Sequence, residues 1–155
     1  MPVAPDTLFA HLDDHRRLSS HMEKPSLMMA GATMHIDTDA LKGQAVGSLI
    51  RLSGQVLGWR LAVDEVVTEH EPPTSKAWET RGEPQLLVIG AYRMGFRISA
   101  RGQGSSLLVF IDYQWPPRGI GRWLGGRLAR AYAAWCTQRM AHDAAAAFTG
   151  RTHRP

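Results

Sequence analysis

Hydrophobic positions recur at two different periods along this chain, and the change of period divides it. In the first 22 residues the spacing is helical. Asp6 is placed to cap a helix over Thr7–Leu12, where its side chain can accept from free backbone amides. A second short helix is expected over Asp14–Met22, and Pro25 marks a break. The period then becomes two. Leu27–Asp37 reads as a strand and Lys42-Gly43 as a turn. In Val46–Val56 one face is Val46, Ser48, Ile50, Leu52, Gly54 and Val56, and the other is Gly47, Leu49, Arg51, Ser53 and Gln55. That alternation marks a sheet with one buried face. Gly58 permits a tight reversal into a strand over Trp59–His70, which Pro72-Pro73 stops because proline cannot donate to a ladder.

Lys76–Arg81 is read as a short strand and Gly82-Glu83-Pro84 as a turn. Gln85–Ser99 reads as one long strand, with Leu86, Val88, Gly90, Tyr92, Met94, Phe96 and Ile98 on one face. Arg101-Gly102-Gln103-Gly104 connects it to the last strand, Ser105–Gln114, which ends before Pro116-Pro117. The period then returns to helical. About 119–147 forms one helix, with Ile120, Leu124, Leu128, Ala131, Tyr132, Trp135, Cys136 and Met140 on one broad arc. Such a helix spans ~43 Å at ~1.5 Å per residue. The strand over 85–98 spans a similar ~46 Å at ~3.3 Å per residue. Matched lengths suit a helix laid along the concave face of a curled sheet, an α+β arrangement rather than alternating βαβ units.

The order of short helices, about six antiparallel strands and one long helix resembles the helix-grip fold of the START-like, or SRPBCC, superfamily. That superfamily includes polyketide cyclases and birch-pollen-allergen-like proteins. "FAHLDDHRRLSSHM" resembles its opening helix pair, and "VVTEHEPPTSKAWET" its central strand, double-proline break and following strand. "LLVIGAYRMGF", "LLVFIDYQWPP" and "RLARAYAAWC" resemble its last two strands and closing helix. The resemblance implies a cavity between sheet and closing helix. It implies no one chemistry, because such proteins bind, carry or transform very different compounds. One departure stands out: family members start with a full strand, whereas only Met1–Pro5 precede Asp6 here.

Composition narrows the picture only moderately. A chain of 155 residues suits a single domain over 1–150, followed by a basic tail over 151–155. Cys136 is the one cysteine, so neither an internal disulfide nor a cysteine-rich metal site can form, and a reducing, cytoplasmic compartment is expected. The start has no secretory pattern and no apolar run approaches the ~20 residues of a membrane span. The net charge of +4 is uneven. From Arg118 onward seven Arg stand against Asp143 alone, while the first 117 residues carry 11 basic and 13 acidic groups. The basic stretch could face an anionic membrane surface through Arg122, Arg127 and Arg130, or be a plain solvated face. Nucleic acid is not expected, since aromatic and basic residues do not interleave on a sheet face.

The candidate chemistry is sparse. No G-x-S-x-G, H-E-x-x-H, C-x-x-C or phosphate-loop pattern occurs, and no cofactor is expected. The histidines do not fall at metal-ligand spacings; His11, His15 and His21 read as surface or capping residues on the opening helices. The main positive signal is Trp78, Tyr92, Met94, Phe96, Phe110, Tyr132 and Trp135. Large apolar side chains with a few polar tips suit a small hydrophobic ligand in a pocket of roughly 300–1,000 Å³, or they fill a plain core. The second signal is Glu65, which the alternation Trp59, Leu61, Val63, Glu65, Val67 turns inward unless a bulge intervenes. A buried carboxylate must be paired or protonated, and with Tyr92 or His21 it could serve acid–base chemistry of cyclase or dehydratase type. Glu79, Arg93 and Asp112 raise the same question more weakly, and Arg139, His142 and Asp143 could form a polar lip. Because the first strand of the family is missing, Ser105–Gln114 should keep an unpaired apolar edge. That edge implies a homodimer, a wider cavity mouth, or a true start upstream of Met1.

Overall fold

The computed structural model describes residues 1–18, 33–56, 58–86, 88–115 and 126–149. Helix α1 spans Pro5–Asp13 and buries Leu8, Phe9 and Leu12. Its N-cap is Ala4 rather than Asp6. Pro5 opens the helix, where its missing amide is not needed. Asp6 lies inside the first turn, where a carboxylate favours the positive helix end. Helix α2 is the short segment His15–Leu18. Asp14 caps it, with Oδ1 accepting from the amides of Arg16 (3.1 Å) and Arg17 (3.4 Å). The remainder of the expected Asp14–Met22 helix, His21, and the start of the Leu27–Asp37 strand lie outside the described residues.

Six strands follow: β1 Thr33–Thr38, β2 Leu49–Val56, β3 Trp59–Glu71, β4 Ser75–Gln85, β5 Tyr92–Arg101 and β6 Gly104–Tyr113. Each pairs antiparallel with the next, giving one curled sheet in sequence order. The concave face carries Met34 and Ile36, Ile50 and Leu52, Leu61, Val63, Glu65 and Val67, then Trp78, Met94, Phe96 and Ile98, all buried. This is the period-two pattern expected of a sheet with one covered face. Residues opposite one another agree in direction: Ile50 with Glu65, Leu52 with Val63, and Val67, Trp78 and Met94 in a row across three strands.

Three strand boundaries differ from the sequence reading. Strand β2 begins at Leu49, and Val46 lies before it, 62% exposed. Lys42-Gly43 does form the preceding turn, both residues having positive φ. Strand β4 runs on through Gly82-Glu83-Pro84, which is not a turn; the extra residues are absorbed as an irregularity against Ala62 and Asp64. The expected long strand Gln85–Ser99 is shorter, because the chain leaves the sheet before Tyr92. Gly90 there donates to the carbonyl of Gln114 (2.9 Å), and Gln114 donates to Ala91 (2.7 Å). A Cβ on Gly90 would lie 2.8 Å from the carbonyl oxygen of Trp115, so only glycine allows this approach. The strand of 10 residues and the described closing helix of 24 are both shorter than expected, ~33 Å and ~36 Å, so their lengths still match.

Helix α3 spans Gly126–Thr149 and buries Ala129, Ala133, Cys136, Met140, Ala144 and Phe148. This stripe is turned slightly from the expected arc: Leu128 and Ala131 are exposed, while Tyr132 and Trp135 are half-buried at its border. Ile120 and Leu124 lie outside the described residues, as do Arg122 and 150–155. Arg127 and Arg130 are exposed. No described helix is long and apolar enough to cross a membrane.

Strand β6 stands last in the sheet. The N-terminus covers only its beginning. Met1 donates through its amine to Ser105 O (2.7 Å), Ser105 N donates back to Met1 O (3.0 Å), and Ser105 Oγ donates to Val3 O (2.6 Å). Among the described residues no further backbone pairing follows along this edge. Leu107, Val109 and Ile111 pack inward, and Leu108 points outward, 59% exposed.

Candidate functional site

The inward face of the sheet and helix α3 enclose one small cavity with a polar end. The sheet lines it with Leu52, Val63, Glu65, Trp78, Tyr92, Met94 and Ile111. Leu86 and Ile89 enter from the segment after β4, His15 from α2, and Tyr132, Cys136 and Met140 from α3. Its volume is about 40 Å³. That admits a water or so, well short of the roughly 300–1,000 Å³ expected of a ligand pocket. Bulky rings and thioethers fill the space that the sequence pattern left open. A wider groove beside Met34, Arg51 and Arg60 is open to solvent, and Arg51 there is already paired with Asp64 (2.7 Å).

Glu65 faces inward, the orientation expected of β3 if no bulge intervened, and is 2% exposed. The register irregularity between Ala62 and Asp64 precedes it and does not turn it out. The Tyr92 hydroxyl donates to Glu65 Oε1. His15 Nε2 lies 3.4 Å from Glu65 Oε2, and the imidazole is as buried as the carboxylate. The ring of His15 meets Trp78 edge-on at 5.0 Å and 81°. Its Cβ sits against the Lys42-Gly43 turn, where a Cβ on Gly43 would touch it at 3.5 Å and press on Ile50 at 3.3 Å. The Gly43 amide donates to Ser48 Oγ (2.8 Å), and Ser48 donates to Asp39 (2.6 Å). Among the described residues two buried side-chain atoms have no hydrogen-bond partner: His15 Nδ1 and Glu65 Oε2. Unsatisfied polar atoms are costly in a core, so their presence calls for an explanation.

Burial, followed by the neighbouring Glu65 charge, raises the Tyr92 phenol well above its ordinary value. Burial likewise raises Tyr132, followed by Cys136 beside it. Burial pushes the Cys136 thiol up to about 12, which the Tyr132 hydroxyl partly offsets. All three groups therefore hold their protons at neutral pH. Cys136 should be inert: at pH 8 only about one thiol in 10⁴ is ionised, and the thiolate is the nucleophile. Native protein is expected to leave Ellman's reagent almost unreacted, with one equivalent released in denaturant. Rapid stoichiometric labelling of the native state would contradict this burial.

The structure brings together only part of the expected set. Trp78, Tyr92, Met94 and Tyr132 line the cavity with Glu65. Phe96 is fully buried but packs against Phe9, ring centres 5.6 Å apart. Trp135 lies against Tyr132 at the helix border. Phe110 is on the outer face of the sheet, over Gly95, with the Arg93 and Arg97 guanidinium groups 5.5 and 5.8 Å from its ring. It faces away because it is opposite Gly95, one residue out of phase with Val109 and Ile111. Glu79 and Asp112 are exposed, and Arg93 pairs with Glu69 (3.1 Å). Arg139 and Asp143 pair across one helical turn (3.4 Å) away from the cavity, with His142 beside them. His15, expected at the surface or in a cap, is the inward residue that sequence reasoning missed. A lone histidine on a one-turn helix carries no periodic signal. Among the described residues no group of three or more His, Cys, Asp or Glu side chains is arranged to hold a metal ion.

No family model matches the sequence, and no curated protein matches it. Solved structures do match in shape. A protein from Chromobacterium violaceum superposes with a TM-score of 0.58 at 16% identity, covering 94% of this chain and 90% of that one. A protein from Thermus thermophilus gives 0.60 at 12% identity, covering 96% and 94%. Ara h 8.0201 gives 0.52 at 13% identity, covering 91% and 92%. At these identities the likeness establishes the fold. The chain has the α+β helix-grip arrangement of six antiparallel strands, two short opening helices and a long closing helix.

Proposed function

We propose that this protein binds a small hydrophobic molecule carrying a polar group, held between the sheet and helix α3. The observation that carries this reading is the polar end of the cavity, where a buried carboxylate and a buried imidazole each keep an unpartnered atom. Most buried side-chain polar atoms have a hydrogen-bond partner, so two such atoms at one end of a cavity mark a place for a polar group. The rest of the lining is apolar and aromatic, as ligand sites usually are. At about 40 Å³ the cavity must open to admit a ligand. Met94 and Met140 line it, and unbranched thioethers repack at little cost. Mass spectrometry of solvent-extracted, freshly purified protein tests the reading. One co-purifying apolar compound at near-stoichiometric amount is expected. Empty protein that also fails to bind any member of a small aromatic and lipid panel would overturn it.

A second reading is favoured by one contact, the hydrogen bond from Tyr92 to Glu65 beside His15. A carboxylate, a phenol and an imidazole within reach of one another can move a proton to or from a bound molecule. Cyclase or dehydratase chemistry on a polyketide-like compound would use Glu65 as base, with Tyr92 holding the carboxylate in place through its hydrogen bond. Conversion of a bound compound during incubation, abolished in Glu65→Gln, would decide for it.

A further inference from the structure

We infer that the Glu65 end of the cavity selects ligands that donate a hydrogen bond, a neutral hydroxyl-bearing apolar compound in preference to a carboxylate; this rests on the binding reading above. Glu65 Oε1 is already occupied by the Tyr92 hydroxyl, whereas Oε2 is buried and accepts no hydrogen bond, with His15 Nε2 3.4 Å away. The free position is thus an acceptor. With two lone pairs it can accept from a ligand hydroxyl as well as face His15 Nε2, but it takes only a group that brings its own proton. Tyr92 has spent its one proton on Glu65. The described lining contains no Lys and no Arg, so a ligand carboxylate would be buried beside Glu65 with no fixed cation to pair with. His15 does not supply one cleanly, because its Nε2 faces Glu65. Its Nδ1 is the second unpartnered atom, a donor or an acceptor according to tautomer. A hydroxyl can both donate and accept, so it can serve either atom, while a carboxylate can serve only a donor. Trp78, Tyr92 and Tyr132 around this end offer ring faces and edges to the body of such a compound.

Three matched probes test the assignment on the full chain at pH 7: 2-naphthol, 2-naphthoate and 2-methoxynaphthalene, each titrated by its own fluorescence. The expected order is 2-naphthol tightest, by roughly tenfold over both others, the size of one hydrogen bond to a charged or strongly polar acceptor. Equal or tighter binding of 2-naphthoate would overturn the inference while leaving the binding reading intact. So would equal binding of 2-methoxynaphthalene, which has the same ring system and no proton to give. Failure of all three to bind would overturn both. In Glu65→Gln, whose amide can donate as well as accept, the preference for 2-naphthol over 2-naphthoate is expected to shrink to within about threefold. An unchanged preference in a folded Glu65→Gln protein would move the selectivity away from Glu65. If that variant does not fold, the comparison between 2-naphthol and 2-methoxynaphthalene on the unaltered chain still decides.

Discussion

Replacing Asp13 by alanine is expected to cost about 3–5 kcal/mol of stability, the penalty for leaving one partner of a buried ion pair alone. Lys76 is 0% exposed, yet it carries an ammonium group. Its Nζ donates to Asp13 Oδ1 and to the Asp13 backbone carbonyl, each at 2.8 Å. His70 Nε2 lies 2.9 Å from the same carboxylate oxygen. The cluster ties the end of α1 to β3 and β4, and so holds the helix that leads into His15. Asp13→Ala removes the one carboxylate in this contact and leaves the ammonium in a dry place. Lys76→Met should cost much less, because a similar volume replaces the charge, and the double variant should recover most of the loss from Asp13→Ala. Urea denaturation of the three variants measures this; a loss below about 1 kcal/mol in Asp13→Ala would show that Lys76 reaches water. The pH dependence has a definite sign. Desolvation lowers Lys76 from its ordinary 10.5, with Asp13 opposing the shift. Between the folded and unfolded values the unfolded chain binds more protons, so this group's contribution rises with pH through that alkaline window. The stability of the unaltered chain relative to Lys76→Met should therefore improve as the pH approaches 10.5.

Trp78→Ala is the second large effect expected, about 3–5 kcal/mol, typical of truncating a buried aromatic. Trp78 is 2% exposed, sits in the middle of the cross-strand row Val67, Trp78, Met94, and presses on the His15 ring. Its removal takes away both buried area and the wall that keeps the cavity at about 40 Å³. The variant should then accept a small aromatic guest in the vacated space. Indole, the size of the deleted ring, is expected to raise the melting temperature of Trp78→Ala more than that of the unaltered protein. A thermal scan with and without indole checks both halves. A loss under about 1 kcal/mol would mean that the neighbours collapse into the space, and indole would then have no effect.

Much of the fold was legible because it rests on period and punctuation. The alternation in Val46–Val56 and Trp59–His70 set the buried face, and one-sided burial leaves a strand no freedom to slip by one residue. Glu65 is inward by the same alternation, but its neighbours alone left open a bulge that would turn it to solvent, and the pairing with β2 and β4 decided it. The hairpin at Gly102-Gln103 and the turn at Lys42-Gly43 were equally local, each requiring positive φ that glycine supplies. The helix stripe was legible to within part of a turn, since Cys136 and Met140 are on it and Leu128 is not.

Tertiary contacts decided the rest. Strand β4 passes through a glycine and a proline because its far end pairs only with β3, so the irregularity can be accommodated at a free edge. Strand β5 starts late because the chain before it bonds to Gln114, a residue far along the sequence. Phe110 and Phe96 are both apolar and both in strands, but which of them faces the helix depended on the pairing register with β5. His15 carries no signal of its own; Asp14 begins its helix, and Gly43, Trp78 and Glu65 meet it from three other parts of the chain. The sequence by itself determined the α+β class and which faces of the strands are buried, because these follow from local period. The size of the cavity and the group facing Glu65 were decided only when distant segments packed, since volume and contact depend on all the neighbours at once.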